Sequence, residues 1–170
     1  MIYSYPAKEE IINQCQFDTE YIPIQSIRMI HEKDVFSLFI GKGGQIPDCE
    51  NILFIEEVSH ERVPLYLNAA DAFVLPTMHE GCCNAVVEAM ACGLPIISSN
   101  LPFNWDVLDN SNSIMVNPSN LEMIADAIKT LRDNVELHDA LSKGALRSAE
   151  NLSIERRVES IMSYISSKMI

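Results

Sequence analysis

From about residue 35 onward, short apolar runs alternate with longer stretches in which apolar residues recur at helical spacing, and this leaves few folds open. The runs are Phe36-Ser37-Leu38-Phe39-Ile40, Ile52-Leu53-Phe54-Ile55, Ala72-Phe73-Val74-Leu75, Pro95-Ile96-Ile97 and Ser113-Ile114-Met115-Val116. Near-continuous apolarity suits strands covered on both faces, as in a parallel sheet. Between the runs, Glu61 to Ala69 carries Val63 and Leu67 at helical spacing, with Ala70 just beyond, and Asn84 to Cys92 ends at Gly93 with Pro95 beyond it. Leu121, Ile124, Ala125, Ile128 and Leu131 mark an amphipathic helix, with Ser119-x-x-Glu122 as a capping box for its start. Leu141, Ala145, Leu146 and Ala149 mark another, and Ile154, Val158, Ile161 and Ile165 a last one after Ser153. Strand–helix alternation predicts a right-handed α/β fold: a Rossmann-like parallel sheet with helices on both faces.

Ahead of residue 35 the pattern thins. Lys8 to Gln14 looks helical, Tyr21-Ile22-Pro23-Ile24 extended, and Ser26 to His31 helical again. With one short strand candidate before Phe36, the sheet is expected to lack its opening strand. The expected division is residues 1–35, a remnant of an interdomain region and first βα unit, and 36–170, a Rossmann-like domain with a C-terminal helix.

Composition excludes several classes of partner. The 24 acidic residues outnumber 12 basic ones, for a formal charge of −12. Binding to nucleic acid or to an anionic membrane surface wants clustered Lys and Arg, so neither is expected. A small phosphate-bearing ligand escapes this objection, because backbone amides at a helix N-terminus can hold the anion. No apolar run approaches the roughly 20 residues of a membrane-spanning helix. The opening Met1 to Pro6 lacks a basic leader region, so a cytoplasmic location is expected. The five cysteines (15, 49, 82, 83, 92) and four histidines (31, 60, 79, 138) show no ligand-like spacing, so neither a metal site nor a disulfide framework is expected.

In open α/β sheets, ligands bind beyond the carboxyl ends of strands. Two such ends carry candidate chemistry. In Phe39-Ile40-Gly41-Lys42-Gly43-Gly44 a strand runs into a glycine-rich turn that permits close backbone approach, though an ordinary strand-ending turn accounts for it equally well. In Leu75 to Pro95 a buried strand ends at Pro76, a short loop presents Glu80-Gly81, and a helix begins near Cys82. The first N–H groups of that helix, on Cys82, Cys83 and Asn84, would face a diphosphate, which the helix dipole favours by about 0.3–2 kcal/mol. Glu88 is the anomaly, a carboxylate inside Ala85-Val86-Val87-Glu88-Ala89-Met90-Ala91. Carboxylates are rarely buried without partners, so Glu88 points to solvent, pairs with a Lys or Arg, or meets a ligand.

The stretch from about Phe36 to the C-terminus resembles the C-terminal domain of group 1 (family 4) glycosyltransferases of the GT-B fold. The resemblance rests on Pro76-Thr77, Glu80-Gly81 and Glu88-Ala89-Met90-Ala91-Cys92-Gly93-Leu94-Pro95. Upstream, Asn51-Ile52-Leu53-Phe54 and Tyr66-Leu67-Asn68-Ala69-Ala70-Asp71 match as well. It implies retaining transfer from a nucleoside-diphosphate sugar (a UDP- or GDP-hexose) to a glycan or lipid-linked acceptor, without metal or other cofactor, in polysaccharide assembly. Residues 36–170 would then be the nucleotide-sugar-binding domain. Glu80 would contact the donor hexose as the catalytic carboxylate. Gly81, Cys82, Cys83 and Asn84 would contact sugar and diphosphate, and Glu88 the ribose. Gly41, Lys42 and Gly43 would lie near the nucleotide. Arg28 and Lys33 have a spacing similar to the family's phosphate-neutralising pair, but no strand and glycine turn precede Arg28, and a helix end reads as well there. The family often has Phe-Gly where this chain has Cys82-Cys83.

An acceptor-binding N-terminal domain, or a partner chain, is expected to complete such an enzyme, so the chain is expected to be inactive alone. The alternative is a non-catalytic interaction subunit with a degenerate transferase fold, prone to self-association. A nucleotide-sugar epimerase shares the two-domain plan, but no acid–base groups of its own are evident.

Overall fold

The computed structural model describes residues 2–3, 35–40, 52–79 and 84–168. Six strands occur among them: β1 (Ile2–Tyr3), β2 (Ser37–Ile40), β3 (Ile52–Ile55), β4 (Phe73–Leu75), β5 (Ile96–Ser99) and β6 (Ser113–Val116). All pair in parallel, in one sheet of order β3-β2-β1-β4-β5-β6. This is the strand order of a Rossmann sheet, in which the chain winds outward to one edge, returns to the centre and winds to the other. The reversal lies between β1 and β4.

The expectation of a missing opening strand is corrected. Ile2–Tyr3 fills the centre of the sheet, with Ile2 opposite Phe39 on one side and Val74 on the other. Two residues are too short to stand out as an apolar run, and pairing on both sides stabilises them as a strand. The other expected strands hold to within a residue or two at their ends. The calls on Lys8 to Gln14, Tyr21 to Ile24 and Ser26 to His31 lie outside the described residues.

The helices are α1 (Val63–Asn68, entered by the 3-10 turn His60–Arg62), α2 (Asn84–Ala91), α3 (Leu121–Asp133), α4 (Val135–Asn151) and α5 (Ile154–Lys168). Because successive strand residues point to opposite faces, the sheet divides its side chains between two cores. Ile40, Phe73, Leu75 and Ile96 pack against Val63 and Leu67 of α1 and Ala85, Val86, Ala89 and Met90 of α2. Phe39, Val74, Ile97 and Val116 pack against Ile124, Ala125, Ala127 and Leu131 of α3. α4 contributes Ala145 to the first core and Leu141 to the second. Each fully buried aliphatic side chain is worth about 1.5–3 kcal/mol.

Gly93 terminates α2 as anticipated. At φ 75° it adopts a conformation that glycine takes without strain. Its N–H bonds the Met90 carbonyl at 2.9 Å and that of Leu94 bonds Ala89 at 3.1 Å, the two bonds of a Schellman stop. The capping box at Ser119 is corrected by one residue. Asn120 caps α3 by accepting from Met123 N–H at 3.0 Å, while the Ser119 N–H is taken by Asn117 Oδ1 at 3.0 Å. Asn and Ser cap with similar strength, so the Ser119–Glu122 spacing alone could not separate adjacent candidates.

α4 crosses the loop before β6 at Gly144, where an added Cβ would lie 1.7 Å from the Ser111 carbonyl oxygen. Backbone on both sides leaves no flexible group to yield. Gly144→Ala is therefore expected to destabilise the fold by about 3 kcal/mol, the upper range for overpacking, or to abolish folding. Urea denaturation of the variant checks this.

Candidate functional site

The carboxyl end of β4 falls beside β1, at the reversal of strand order where open α/β sheets place their ligands. Pro76 is fully buried there and cannot extend the ladder. Thr77 turns the chain out of the sheet, its N–H bonding the Leu75 carbonyl at 3.0 Å. Met78 accepts a weak bond at sulfur from Ser119 Oγ, 3.8 Å away, which ties this exit to the segment before α3.

The tip of β4 is fastened to that of β5 by buried polar side chains. Ser98 Oγ donates to the Leu75 carbonyl at 2.8 Å, and Ser99 Oγ donates to the Thr77 carbonyl. Asn104 Nδ2 donates to Ser98 Oγ at 3.1 Å and to the Ser99 carbonyl at 2.7 Å. Ser98, Ser99 and Asn104 are 1%, 0% and 4% exposed, so these bonds are sheltered from competing water. Thr77 Oγ1 is buried there with no hydrogen-bond partner among the described residues. The next residue, Trp105, is exposed, and its indole N–H donates to Asn100 Oδ1 at 3.0 Å.

The site residues assigned from sequence divide into two groups. Glu80, Gly81, Cys82 and Cys83, the glycine turn Gly41, Lys42 and Gly43, and Arg28 and Lys33 lie outside the described residues. Asn84 and Glu88 are described. Asn84 is exposed at the first position of α2, and Glu88 is half-buried one turn later, about 6 Å along the axis at ~1.5 Å per residue. The ion pairs among the described residues do not include Glu88. Of the three readings open to it, pairing with a described Lys or Arg is thus set aside, and full exposure is as well.

Glu88 makes itself felt one turn further on. Burial pushes the Cys92 thiol up, and the Glu88 carboxylate adds to the rise, against a hydrogen bond from Asn68 Nδ2 at 3.6 Å that lowers it. Among the described residues, no three His, Cys, Asp or Glu side chains converge so as to hold a metal ion.

Sequence reasoning missed Ser98, Ser99 and Asn104. The available signal was a change within one strand, where Ile96-Ile97 gives way to Ser98-Ser99 at the end nearest the site.

Residues 49–148, more than half the chain, match the family described as glycosyl transferases group 1. The chain belongs to the group 1 glycosyltransferases. An O-antigen chain mannosyltransferase of Salmonella typhimurium is 33% identical over 94 residues, which are 55% of this chain and 26% of that protein. The chain spans less than half the length of the curated relatives it matches. Among solved structures, Anabaena HepE in complex with UDP and glucose superposes with a TM-score of 0.79 at 14% identity, covering 98% of this chain and 48% of that one. The C-terminal domain of a group 1 glycosyltransferase from Francisella tularensis gives 0.69 at 17% identity, over 88% of this chain and 83% of that domain. At such identities the likeness establishes the fold, which is that of the C-terminal half of the GT-B architecture.

In this group 1 glycosyltransferase chain, Glu88→Gln is expected to lower the Cys92 pKa by removing a nearby negative charge, and Asn68→Ala to raise it. The thiolate is the reactive form, so wild-type Cys92 should reach half-maximal alkylation above the ~8.5 of a free thiol. Iodoacetamide labelling across pH, resolved by peptide mass spectrometry, reads both shifts.

Proposed function

We propose that the chain is the donor-binding domain of a retaining glycosyltransferase that takes a UDP- or GDP-hexose and passes the sugar to a glycan or lipid-linked acceptor. One observation carries this reading: the segment leaving β4 emerges at the reversal of strand order, and the helix after it bears a half-buried carboxylate one turn from its start. Glu88 would accept hydrogen bonds from ribose hydroxyls, giving a carboxylate among apolar neighbours the partners it needs. Glu80 would contact the hexose, and the amides of Gly81 to Asn84 the diphosphate. Gly41, Lys42 and Gly43 would border the nucleotide, with Arg28 and Lys33 as further candidates for phosphate. As the bond between sugar and diphosphate breaks, negative charge grows on the leaving group. Amides fixed at a helix start stabilise that charge without a metal ion. That HepE was solved with UDP and glucose, and that the Salmonella relative is named a mannosyltransferase, supports this ligand class. A cytoplasmic setting, where nucleotide sugars are made, belongs to the same proposal.

A second reading, a non-catalytic interaction subunit, draws on α5. Ile154, Val158, Ile161 and Ile165 line one face of that helix at spacings of four, three and four, all between 44% and 77% exposed. No residue of α5 is buried. Such a stripe is a docking seam, and it serves either reading. In the first it receives the acceptor-binding half that the longer relatives have room for, and in the second another protein or a second copy.

Calorimetry with UDP, GDP and ADP tests the donor site. Glu88→Ala is expected to weaken the preferred nucleotide by about 10- to 100-fold, the loss of charge-assisted hydrogen bonds of about 1.5–3 kcal/mol. Unchanged affinity would remove Glu88 from the ribose role.

Transfer needs donor and acceptor held in register. The chain alone is therefore expected to give no transfer from UDP- or GDP-sugars, and turnover at the rate of a complete enzyme would refute this. Sedimentation of the wild type against Ile161→Glu separates a self-associating subunit, which the variant would dissociate, from a monomer that binds nucleotide.

A further inference from the structure

We propose that Ser99 and Asn104 are positioning residues: they fix the direction in which the chain leaves β4 through Thr77 to His79, ahead of the segment assigned to the donor. This rests on the donor-site reading above.

The argument begins with a backbone carbonyl. β4 ends at Leu75, so the Thr77 carbonyl has no partner in the β4–β5 ladder, whose register runs from Phe73 opposite Ile96 to Leu75 opposite Ser98. A carbonyl partly shielded from water needs a donor, and Ser99 Oγ supplies it. A side-chain donor in place of a ladder N–H lets the chain diverge from β5 at Thr77 with no carbonyl left unsatisfied. Ser99 is held in turn, because Asn104 grips its carbonyl and the hydroxyl of Ser98. Asn104 is itself braced by its own backbone. Its N–H bonds the Leu101 carbonyl at 3.0 Å, and its carbonyl accepts from Val107 at 3.0 Å and Leu108 at 2.8 Å. The result is a continuous chain of fixed bonds from the 3-10 turn Pro102–Asn104 to Thr77, three residues before Glu80.

The placement of these polar groups argues for a role beyond packing. β5 is covered on both faces, and its first half is Ile96-Ile97. Buried hydroxyls and an amide cost free energy unless fully bonded, and aliphatic residues would fill the same space without that cost. Within β5 the buried hydroxyls lie at its carboxyl end, on Ser98 and Ser99, against the exit of β4. Beside them Thr77 Oγ1 is buried with no hydrogen-bond partner among the described residues, while the carbonyl of the same residue is bonded.

A matched control exists in the same fold. Ser113 at the start of β6 is equally buried, and its hydroxyl donates to the Asp109 carbonyl at 2.8 Å, at the opposite end of the sheet. Ser113→Ala likewise removes a buried hydroxyl bonded to a carbonyl, but there the Asp109 carbonyl keeps the N–H groups of Asn112 and Ser113 as donors. The experiment is hydrogen exchange on the ligand-free chain, followed at the amides of residues 77–79, with melting temperature and nucleotide-sugar affinity (UDP-glucose and GDP-mannose) measured alongside. Both variants are expected to melt a few degrees lower. Exchange at 77–79 is expected to rise at least tenfold in Ser99→Ala only, with affinity weakened about tenfold in that variant and unchanged in Ser113→Ala. Asn104→Asp, which keeps the shape but loses both N–H donors, is expected to reproduce Ser99→Ala and replaces it should that variant not fold. Equal exchange at 77–79 in the Ser99 and Ser113 variants overturns the proposal. Raised exchange with unchanged affinity confines the pair to a structural role and overturns it too. If the wild type binds neither nucleotide sugar, the donor-site reading fails by itself, and the exchange comparison still decides whether Ser99 and Asn104 fix the exit.

Discussion

The pairing of a two-residue strand, Ile2–Tyr3, with β2 on one side and β4 on the other is the constraint on which the molecule depends. It joins the two halves of the sheet. Through it the reversal of winding comes to lie at the carboxyl end of β4, and everything assigned to the site follows from that location. The joint is also distant in sequence, since Ile2 meets Val74. Closing so long a loop comes before any reward from pairing, which places this fold among those dominated by non-local contacts.

The chemistry of the two inner strands changes along their length for a physical reason. Where β4 and β5 run through the middle of the domain, helices cover both faces, and Phe73, Val74, Ile96 and Ile97 maximise apolar burial. At their carboxyl ends the ladder stops, and carbonyls that lose ladder partners must find others. Ser98, Ser99 and Asn104 meet that need within the protein, with the Leu75 and Thr77 carbonyls both bonded. A preorganised exit is the condition for a loop to present a carboxylate and amides in fixed geometry.

The α/β class, five of the six strands and the Gly93 stop were legible in the sequence because each has a strong local signature. Consecutive apolar residues, helical spacing and a glycine before Pro95 act over a few neighbours. β1 was not legible, because its stability comes from partners tens of residues away rather than from its own two side chains. The cap of α3 was misplaced by one because Ser119 and Asn120 are both good caps, and tertiary context chose between them. In the site, Glu88 stood out as a charge in an apolar helix, and the structure leaves it half-buried on α2. Asn104 carried no signal, since an asparagine after Pro102 and Phe103 reads as a surface turn until its burial is known. The double-glutamate frame was read from resemblance, and its first member lies beyond the described residues.

Trp105 is the sole tryptophan, and it sits on the rim next to Asn104 with more than half its surface in water. An indole so placed emits in a polar environment in the folded state already. Its colour would change little when the two cores melt, so emission would report unfolding with small amplitude. Circular dichroism in the far ultraviolet, which sees the helices on both faces, is the faithful gauge of global stability for this chain.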